Sequence, residues 1–402
     1  MSVLQRALIT GAFSIASCCV SLNLPAQTPK TSTPSVGSQE AAETAQTDPL
    51  LVDVENAVRI SSRRYLTGNV HTPWQILHGV LALRNEFLIK VDDGKSSALK
   101  WMAQGQSYRG EPWFQVTEHG GRAHVYSEAY AFEGHPNQFL AILSVSDLPL
   151  DHKFEADGGV ITIADMVKHA QAEVNAQEEI TWTLWALSHY LPPDAQWTNR
   201  FGERWSVERL VRIQTDADVH DEACGGTHGM FALSRARNSY ARHGAALRGV
   251  WMEADQKIQR YIAEARSYQN SDGSFSNAFF QGREYAGDFE TRIASSGHTL
   301  EFLVEALPQQ RLKEQWFRNG VAAMARDLIE HRRESVKCGP LYHAVSGLVI
   351  YRNRMRSTLK TPAAAESIEA TSAESAPSGA QKSEASKVLK TDAEDGDAVR
   401  IN

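Results

Sequence analysis

The stretch HGMFAL, residues 228–233, consists of a histidine, a glycine and four apolar residues. Three other runs in the chain also begin with histidine, and two more fit the same frame with Gln or Trp in first place. They are residues 78–83 (HGVLAL), 298–303 (HTLEFL), 343–348 (HAVSGL), 138–143 (QFLAIL) and 182–187 (WTLWAL). Segments that are apolar on nearly every side are typical of helices packed by neighbours all round. The pattern therefore predicts six buried helices.

Charged, amphipathic stretches alternate with these runs and are suited to an outer layer of helices. They are residues 53–65, 163–174, 207–213, 252–268 and 312–331. The alternation predicts an all-α fold, an α/α toroid of about six inner and five to six outer helices around a central cavity. Residues 108–132 break the pattern, because alternating residues flank Gly120-Gly121, and they predict a small β-hairpin insertion.

The two ends of the chain differ in composition from the toroid segment, which we place at residues 48–356. Residues 1–26 have one basic residue followed by an apolar run, which predicts an export signal. Two ends of that signal stay open: a lipobox-like sequence that would make Cys18 a lipid anchor, or cleavage after Ala26. Residues 27–47 are expected to be a flexible linker, and residues 357–402 a disordered tail. We therefore expect an exported protein, periplasmic or lipid-anchored at the membrane.

Charge, hydropathy and cysteine count argue against nucleic-acid binding, a transmembrane span and a disulfide scaffold. The net charge is −7, and the basic residues form only short groups such as Arg63-Arg64 and Arg332-Arg333, so nucleic-acid binding is not expected. No stretch is long and apolar enough for a transmembrane span. Of the four cysteines, only Cys224 and Cys338 lie in the toroid segment, which is too few for a disulfide scaffold.

Residues 269–275, QNSDGSF, resemble the repeat motif of the terpene cyclases and of the protein prenyltransferase β subunits. Both families are α/α toroids, so the resemblance implies the same fold as the six-fold pattern does. In these families the motif ends an outer helix and tightens the turn to the next inner helix, for which Asp272 and Gly273 have suitable chemistry. Only one good copy of the motif is present.

The same resemblance suggests residues for a zinc site. Prenyltransferases bind zinc through an Asp-x-Cys pair and a later histidine; here Glu222-Ala223-Cys224 has Glu in place of Asp, and His298 or His343 matches the later ligand. If the fold is a toroid, Cys224, His298, His343 and Cys338 lie near one rim, and such N and S ligands suit Zn²⁺. Glu222 and His228 are then the candidate catalytic residues, with Glu222 a general base. A Cys224–Cys338 disulfide, or structural roles for all these residues, are the alternatives.

Three classes of function remain open on the sequence. The first is an exported cavity enzyme that acts on a hydrophobic or isoprenoid-like substrate with the help of zinc. The second is a binding or scaffold toroid without catalysis that holds a lipid, a peptide or a glycan. The third is a carbohydrate-active hydrolase or lyase, which needs two carboxylates across the cavity. Glu301 is the one acidic residue inside the six apolar runs, so the third class has little support.

Overall fold

The computed structural model describes residues 48–125, 128–244 and 246–360. Helices make up most of this region. The predicted export signal with Cys18, the predicted linker and the part of the predicted tail beyond Lys360 lie outside the described residues. The last helix continues to Lys360, four residues past the boundary at residue 356 that the composition suggested.

Twelve helices are present in the described part of the chain. Their bounds are α1 Pro49–Ser61, α2 Pro73–Leu83, α3 Ala98–Met102, α4 Gln138–Leu143, α5 Ile163–Glu173, α6 Thr181–Tyr190, α7 Val207–Asp216, α8 Thr227–Arg242, α9 Val250–Ser267, α10 Phe289–Ala306, α11 Gln315–Glu330 and α12 Cys338–Lys360. The six apolar runs lie within α2, α4, α6, α8, α10 and α12, as predicted. The five amphipathic stretches overlap α1, α5, α7, α9 and α11.

Local sequence explains where several of these helices begin. The side chain of Thr72 accepts a hydrogen bond from the main chain of Gln75, whose side chain accepts one from Thr72, and Pro73 follows in the first turn. Thr162 and Asp165 form the same reciprocal cap at α5. Such caps satisfy main-chain N–H groups that have no partner within the helix.

The helices that contain the apolar runs pack against one another in chain order. α2 contacts α4, α4 contacts α6, α6 contacts α8, α8 contacts α10 and α10 contacts α12, while α12 also contacts α2. The amphipathic helices lie against this series: α5 packs on α4 and α6, α7 on α6 and α8, α9 on α8 and α10, and α11 on α10 and α12. The first helix, α1, packs on α11 and α12.

The described residues contain five antiparallel strand pairs, where the sequence predicted one. The pairs are β1 Leu88–Val91 with β2 Gly94–Ser97, β3 Ser107–Tyr108 with β4 Glu111–Pro112, β5 Phe114–Thr117 with β6 Gly120–Ala123, β7 Lys153–Ala156 with β8 Gly159–Thr162, and β9 Gln196–Thr198 with β10 Arg204–Ser206. Three of them directly precede α3, α5 and α7. The predicted hairpin is the β5–β6 pair.

The two glycines of the predicted hairpin do not form its turn. Thr117 pairs with Gly120, so the turn is at residues 118–119 and both glycines belong to β6. A side chain at Gly120 would overlap the carbonyl oxygen of Asp165, and one at Gly121 would overlap Ile161. These glycines therefore allow β6 to approach α5 and β8 closely.

The segment 269–275 forms the turn after α9, as its Asp-Gly chemistry predicts. Gly273 has a φ of +94°, and the side chain of Asp272 accepts a hydrogen bond from the amide of Ser274 at 3.0 Å. The side chain of Gln269 donates to the carbonyl oxygens of Gly273 and Trp316, at 2.8 and 2.9 Å. The motif thus ties this turn to the start of α11. None of the described helices is both long enough and apolar enough to cross a lipid bilayer.

Candidate metal centre

Four histidines from four different helices meet in the interior: His78 of α2, His228 of α8, His298 of α10 and His343 of α12. The rings of His298 and His343 stack with their centroids 3.9 Å apart. The ring centroid of His228 lies 5.0 Å from that of His298, and that of His78 lies 5.4 Å from that of His343. At most 9% of each residue is exposed. The contacts among the four helices therefore bring together residues far apart in the sequence.

Cys224 joins two of these histidines to form a group with metal-ligating atoms. One ligand atom each of Cys224, His228 and His298 lies within 4.8 Å of the other two. Cys224 is exposed, His228 is almost buried and His298 is buried. Within the part of the chain that the structure describes, no other set of three His, Cys, Asp or Glu residues meets this distance. The group is therefore the candidate metal centre.

A left-handed turn before α8 positions Cys224. Cys224, Gly225 and Gly226 have φ values of 52°, 60° and 74°. A side chain at Gly225 would overlap the ring of Phe279, and one at Gly226 would overlap Val219. Both glycines are therefore required by conformation and by space. Cys224 has a side chain, so its positive φ is strained. Strained residues of this kind are common in functional sites.

Hydrogen bonds set the tautomers of two histidines. His298 Nδ1 lies 2.6 Å from the carbonyl oxygen of Ala294, and His78 Nδ1 lies 2.7 Å from that of Trp74. A carbonyl oxygen only accepts, so Nδ1 carries the hydrogen in both rings and Nε2 carries the lone pair. Metal-binding histidines are commonly oriented in this way, by a main-chain carbonyl on the second ring nitrogen. His298 therefore presents Nε2 as a ligand.

His228 has a neutral ring with an unpartnered nitrogen, which are properties of a potential metal ligand. Its Nε2 is buried and has no hydrogen-bond partner among the described residues. Burial, and then the nearby His298, His135 and His78, hold the pKa of His228 well below its usual value. The ring is therefore neutral near pH 7, which is the form that binds a metal ion. A buried polar atom without a partner is costly, so this nitrogen calls for an explanation that a metal ion would supply.

His343, which the sequence analysis placed among the ligands, is instead paired with a carboxyl group. Its Nδ1 lies 2.7 Å from Glu301 Oε2, and both side chains are buried. Burial raises the pKa of Glu301 to about 7, and burial also holds the pKa of His343 well below its usual value. His343 lies outside the group of three potential ligands and stacks on His298.

Cys338 also lies outside the group of three. It is the first residue of α12 and is buried, and burial raises the pKa of its thiol far above the usual value. Cys224 and Cys338 are both thiols, so the alternative of a disulfide between them is not what the structure shows. A thiol that resists ionisation is a poor metal ligand.

Glu222 lies beside the first turn of α8. Gln214 Nε2 donates a hydrogen bond to Glu222 Oε1 at 2.7 Å, and a side chain at Gly229 would overlap the other carboxyl oxygen. Burial raises the pKa of Glu222 to about 8, although Lys257 opposes the shift. The carboxyl group therefore changes its protonation near neutral pH, which suits a general acid or base.

Two tryptophan rings and a cavity lie next to the candidate metal centre. Trp182 stacks on Trp185 with ring centroids 5.2 Å apart, and its ring lies 4.9 Å from that of His228. On its other side, Trp182 stacks on His135, which lines a cavity of about 320 Å³. The sequence analysis did not identify His135 or Glu133, which also lines this cavity. The signal available was the sequence EGHPN, residues 133–137, just before an apolar run.

Comparisons with protein-family models, with curated proteins and with solved structures give no match for this chain.

Proposed function

We propose that the chain is an α/α toroid and acts as a metal-dependent enzyme, with a zinc ion bound by Cys224, His228 and His298. Support for the toroid comes from the contacts of α2, α4, α6, α8, α10 and α12, each with the next, and of α12 with α2. A closed series of this kind, with amphipathic helices against it, is what a ring of inner helices requires. The single observation behind the metal is the buried, unpartnered Nε2 of His228, on a ring that belongs to the group of three with Cys224 and His298.

The ligand set fits zinc. Around a tetrahedral zinc ion, N and S ligands at their usual distances are roughly 3.3–3.8 Å apart. The ligand atoms here lie within 4.8 Å of one another, so binding needs them to approach by at most about 1.5 Å. Three protein ligands leave a fourth position open, which is typical of catalytic rather than structural zinc sites. Zinc in such a site lowers the pKa of a bound water or thiol and so generates a nucleophile.

The chain's own residues then have distinct roles. Glu301, through its bond to His343, holds the ring that stacks on His298. Glu222 is the candidate general base, because its carboxyl group is half-buried beside α8 and ionises near neutral pH. Trp182 and Trp185 supply apolar surface next to His228, which suits the hydrophobic or isoprenoid-like substrate that the resemblance implies. Export to the periplasm or to a lipid-anchored location remains part of the proposal.

Metal analysis tests the proposal. Purified protein should contain about one zinc per chain, and Cys224→Ala or His298→Ala should remove most of it, because two ligands hold zinc far more weakly than three. Replacing zinc with cobalt should give a thiolate-to-cobalt charge-transfer band that the Cys224→Ala protein lacks. An added thiol should change this spectrum if the fourth position is open, and should leave it unchanged in a closed structural site.

Two variants serve as controls for the metal analysis. Cys338→Ala removes the other thiol of the toroid segment and should keep the zinc. His343→Ala should keep zinc at high metal concentration but bind it about 10–100-fold more weakly, as expected for a partner that orients a ligand. Metal-free wild-type protein, or a full zinc content in the Cys224→Ala, His298→Ala double variant, would reject the proposed ligand set.

A further inference from the structure

A cavity of about 320 Å³ lies next to the candidate metal centre, between β6, the segment before α4, α5 and the segment before α6. His135 lines it and stacks on Trp182, whose ring also contacts that of His228. Its volume is at the lower end of the range for small-molecule sites. The cavity and the metal centre are therefore separate features connected by two rings.

Acidic residues outnumber basic ones in the lining of this cavity. Four glutamates line it, against a single arginine: Glu133, Glu173, Glu178, Glu179 and Arg122. The guanidinium of Arg122 donates to Gln115 Oε1 at 3.2 Å. His169 also lines the cavity, but burial lowers its pKa to about 4, so it is neutral near pH 7. Two of the glutamates already have partners, because Arg200 donates to Glu173 Oε2 at 2.7 Å and His135 Nδ1 lies 2.5 Å from Glu179 Oε2. Among the described residues, Glu178 and Glu133 are the carboxyl groups of this cavity that have no ion-pair partner, and they can attract a ligand of positive charge.

Glu133 is the most deeply placed of the four acids. Only 8% of the residue is exposed, and Oε1 accepts a hydrogen bond from the amide of Phe139 at 2.9 Å. Among the described residues no hydrogen bond is formed by its Oε2. Oε2 is not one of the fully buried polar atoms that lack a partner, so it is open to the cavity, where water or a ligand can bond to it. Its place on the cavity wall makes that oxygen available to a ligand.

The separation of the cavity's carboxylates favours an organic cation over a metal ion as the ligand. In the described residues, no three of the cavity's carboxylates come as close together as Cys224, His228 and His298 do. Ammonium or guanidinium groups on a small molecule can reach several separated carboxylates at once. We propose that this cavity binds a small organic cation bearing amino or guanidino groups, with Glu133 as its deepest contact.

Binding of a cation at Glu133 should release a proton. Burial raises the pKa of Glu133 to about 8, so the group is largely protonated at pH 7. A nearby positive charge favours the ionised form. The charged and titratable groups that face Glu133 across the cavity are Arg122, His135, His169, Glu173, Glu178 and Glu179. Affinity should therefore rise with pH up to about 8 and then level off.

Calorimetry on the full chain tests the inference, with spermidine as the probe and at constant ionic strength. The protein is first treated with EDTA, so the result does not depend on the proposed zinc. We expect saturable binding of one spermidine per chain, with proton release at pH 7. Glu133→Gln should weaken binding about tenfold above pH 8 and abolish its rise with pH. Glu55→Gln, which removes a surface carboxylate from α1, is the matched control and should bind as the wild type does.

A second variant keeps the inference testable if Glu133→Gln does not fold. Glu178 and Glu179 are exposed at the edge of the cavity, and their double replacement by Gln should weaken spermidine binding about tenfold without unfolding the protein. The inference is overturned if EDTA-treated wild-type protein shows no saturable binding. It is also overturned if fully acetylated, uncharged spermidine binds as tightly, or if neither set of glutamate variants changes the affinity.

Discussion

Cys224 is held in a conformation that residues other than Gly seldom adopt, with a φ of 52°. Left-handed backbone costs about 1–2 kcal/mol for a residue with a side chain. Gly would avoid this strain, as it does at Gly225 and Gly226 directly afterwards. The thiol is brought near His228 and His298 by this same turn. The strain is therefore accounted for if the thiol has a function there, as the proposed metal site supplies.

Glu133 gives a stability prediction whose sign depends on its pKa. The folded-state pKa of about 8 lies above the ordinary value of 4.5. Between these values the unfolded chain has lost the proton that the folded chain retains, so the contribution of Glu133 to stability falls as pH rises. Glu133→Gln removes that decline. From pH 5 to pH 8, the variant should therefore gain stability relative to the wild type, on the order of a few kcal/mol.

Urea unfolding of both proteins across this pH range measures the difference. Other buried acids titrate in the same window, notably Glu222 and Glu301, but they are present in both proteins and cancel in the comparison. Glu55→Gln should follow the wild-type curve. If the free energies of unfolding of Glu133→Gln and the wild type change with pH in parallel, burial does not raise the pKa of Glu133.

Which residues form the centre was predictable from the sequence only in part. Cys224 and His298 were predicted as ligands and do lie together, with His228, predicted as catalytic, as the third member. His343 and Cys338 were predicted as ligands and lie outside the group. A helix that is buried all round shows no preferred face in its sequence, so spacing cannot tell which partner a histidine meets. The Cys224-x-x-x-His228 spacing was the available signal for the third ligand.

The helices and hairpins were predicted with unequal success, for a physical reason. Six similar apolar runs, each six residues long and recurring along the chain, marked all six buried helices. The β1–β2 and β7–β8 pairs have strands of four residues, like the predicted β5–β6 pair, but β2 (GKSS) and β8 (GVIT) show no alternation of polar and apolar side chains. Their signal was local: Asp-Gly turns at Asp93-Gly94 and Asp157-Gly158, each followed a few residues later by a Ser or Thr that caps the next helix.

Lys257 of α9 provides a prediction about the end of α7. Its Nζ is buried and donates to the carbonyl oxygens of Gln214, Thr215 and Ala217 at 3.0, 3.0 and 2.6 Å. These carbonyls belong to the last turn of α7 and the residue after it, where no intrahelical donor is available. Lys257→Met should leave them without this donor, and we expect a loss of about 2–4 kcal/mol in the free energy of unfolding.

Chemical denaturation of Lys257→Met should be compared with that of Lys168→Met. The side chain of Lys168 on α5 is 67% exposed, and its replacement should change stability by less than about 0.5 kcal/mol. Equal stability of the two variants would mean that the Lys257 contacts are replaced by water at no cost. A large loss confined to Lys257→Met would support the joining of α7 and α9 by one ammonium group.

Across the whole molecule, the beginning and end of the described chain meet. Arg318 of α11 pairs with Asp48, which also caps α1, at 2.7 Å. Arg64 donates to the carbonyl oxygens of Glu334 and His331, at 2.7 and 3.0 Å. These contacts join residues about 270 positions apart in the sequence. Repeating runs predicted six buried helices, but no local pattern could show that the last helix packs against the first of them, because that depends on closure of the whole series.

The packing of this series can be tested at its most extensive helix contact, between α10 and α12. A Cβ atom on Gly297 would lie 2.8 Å from the amide nitrogen of Ala344, too close for a carbon beside main chain. Gly297→Val should push the two helices apart and cost about 1–3 kcal/mol or more in stability, despite its better helix propensity. Gly94→Val, at a hairpin glycine with nothing within 4 Å of the added carbon, is the control and should be nearly neutral.

The form of the unfolding transition distinguishes a closed ring from a chain of helix pairs. In a ring, loosening one contact weakens every neighbour. Tryptophan fluorescence, to which all nine tryptophans contribute, should therefore shift to the same midpoint as circular dichroism. In an open array, each unit depends mainly on its neighbours, and distant units unfold at unchanged denaturant concentrations. A Gly297→Val protein that unfolds in two separate steps would therefore argue against the toroid.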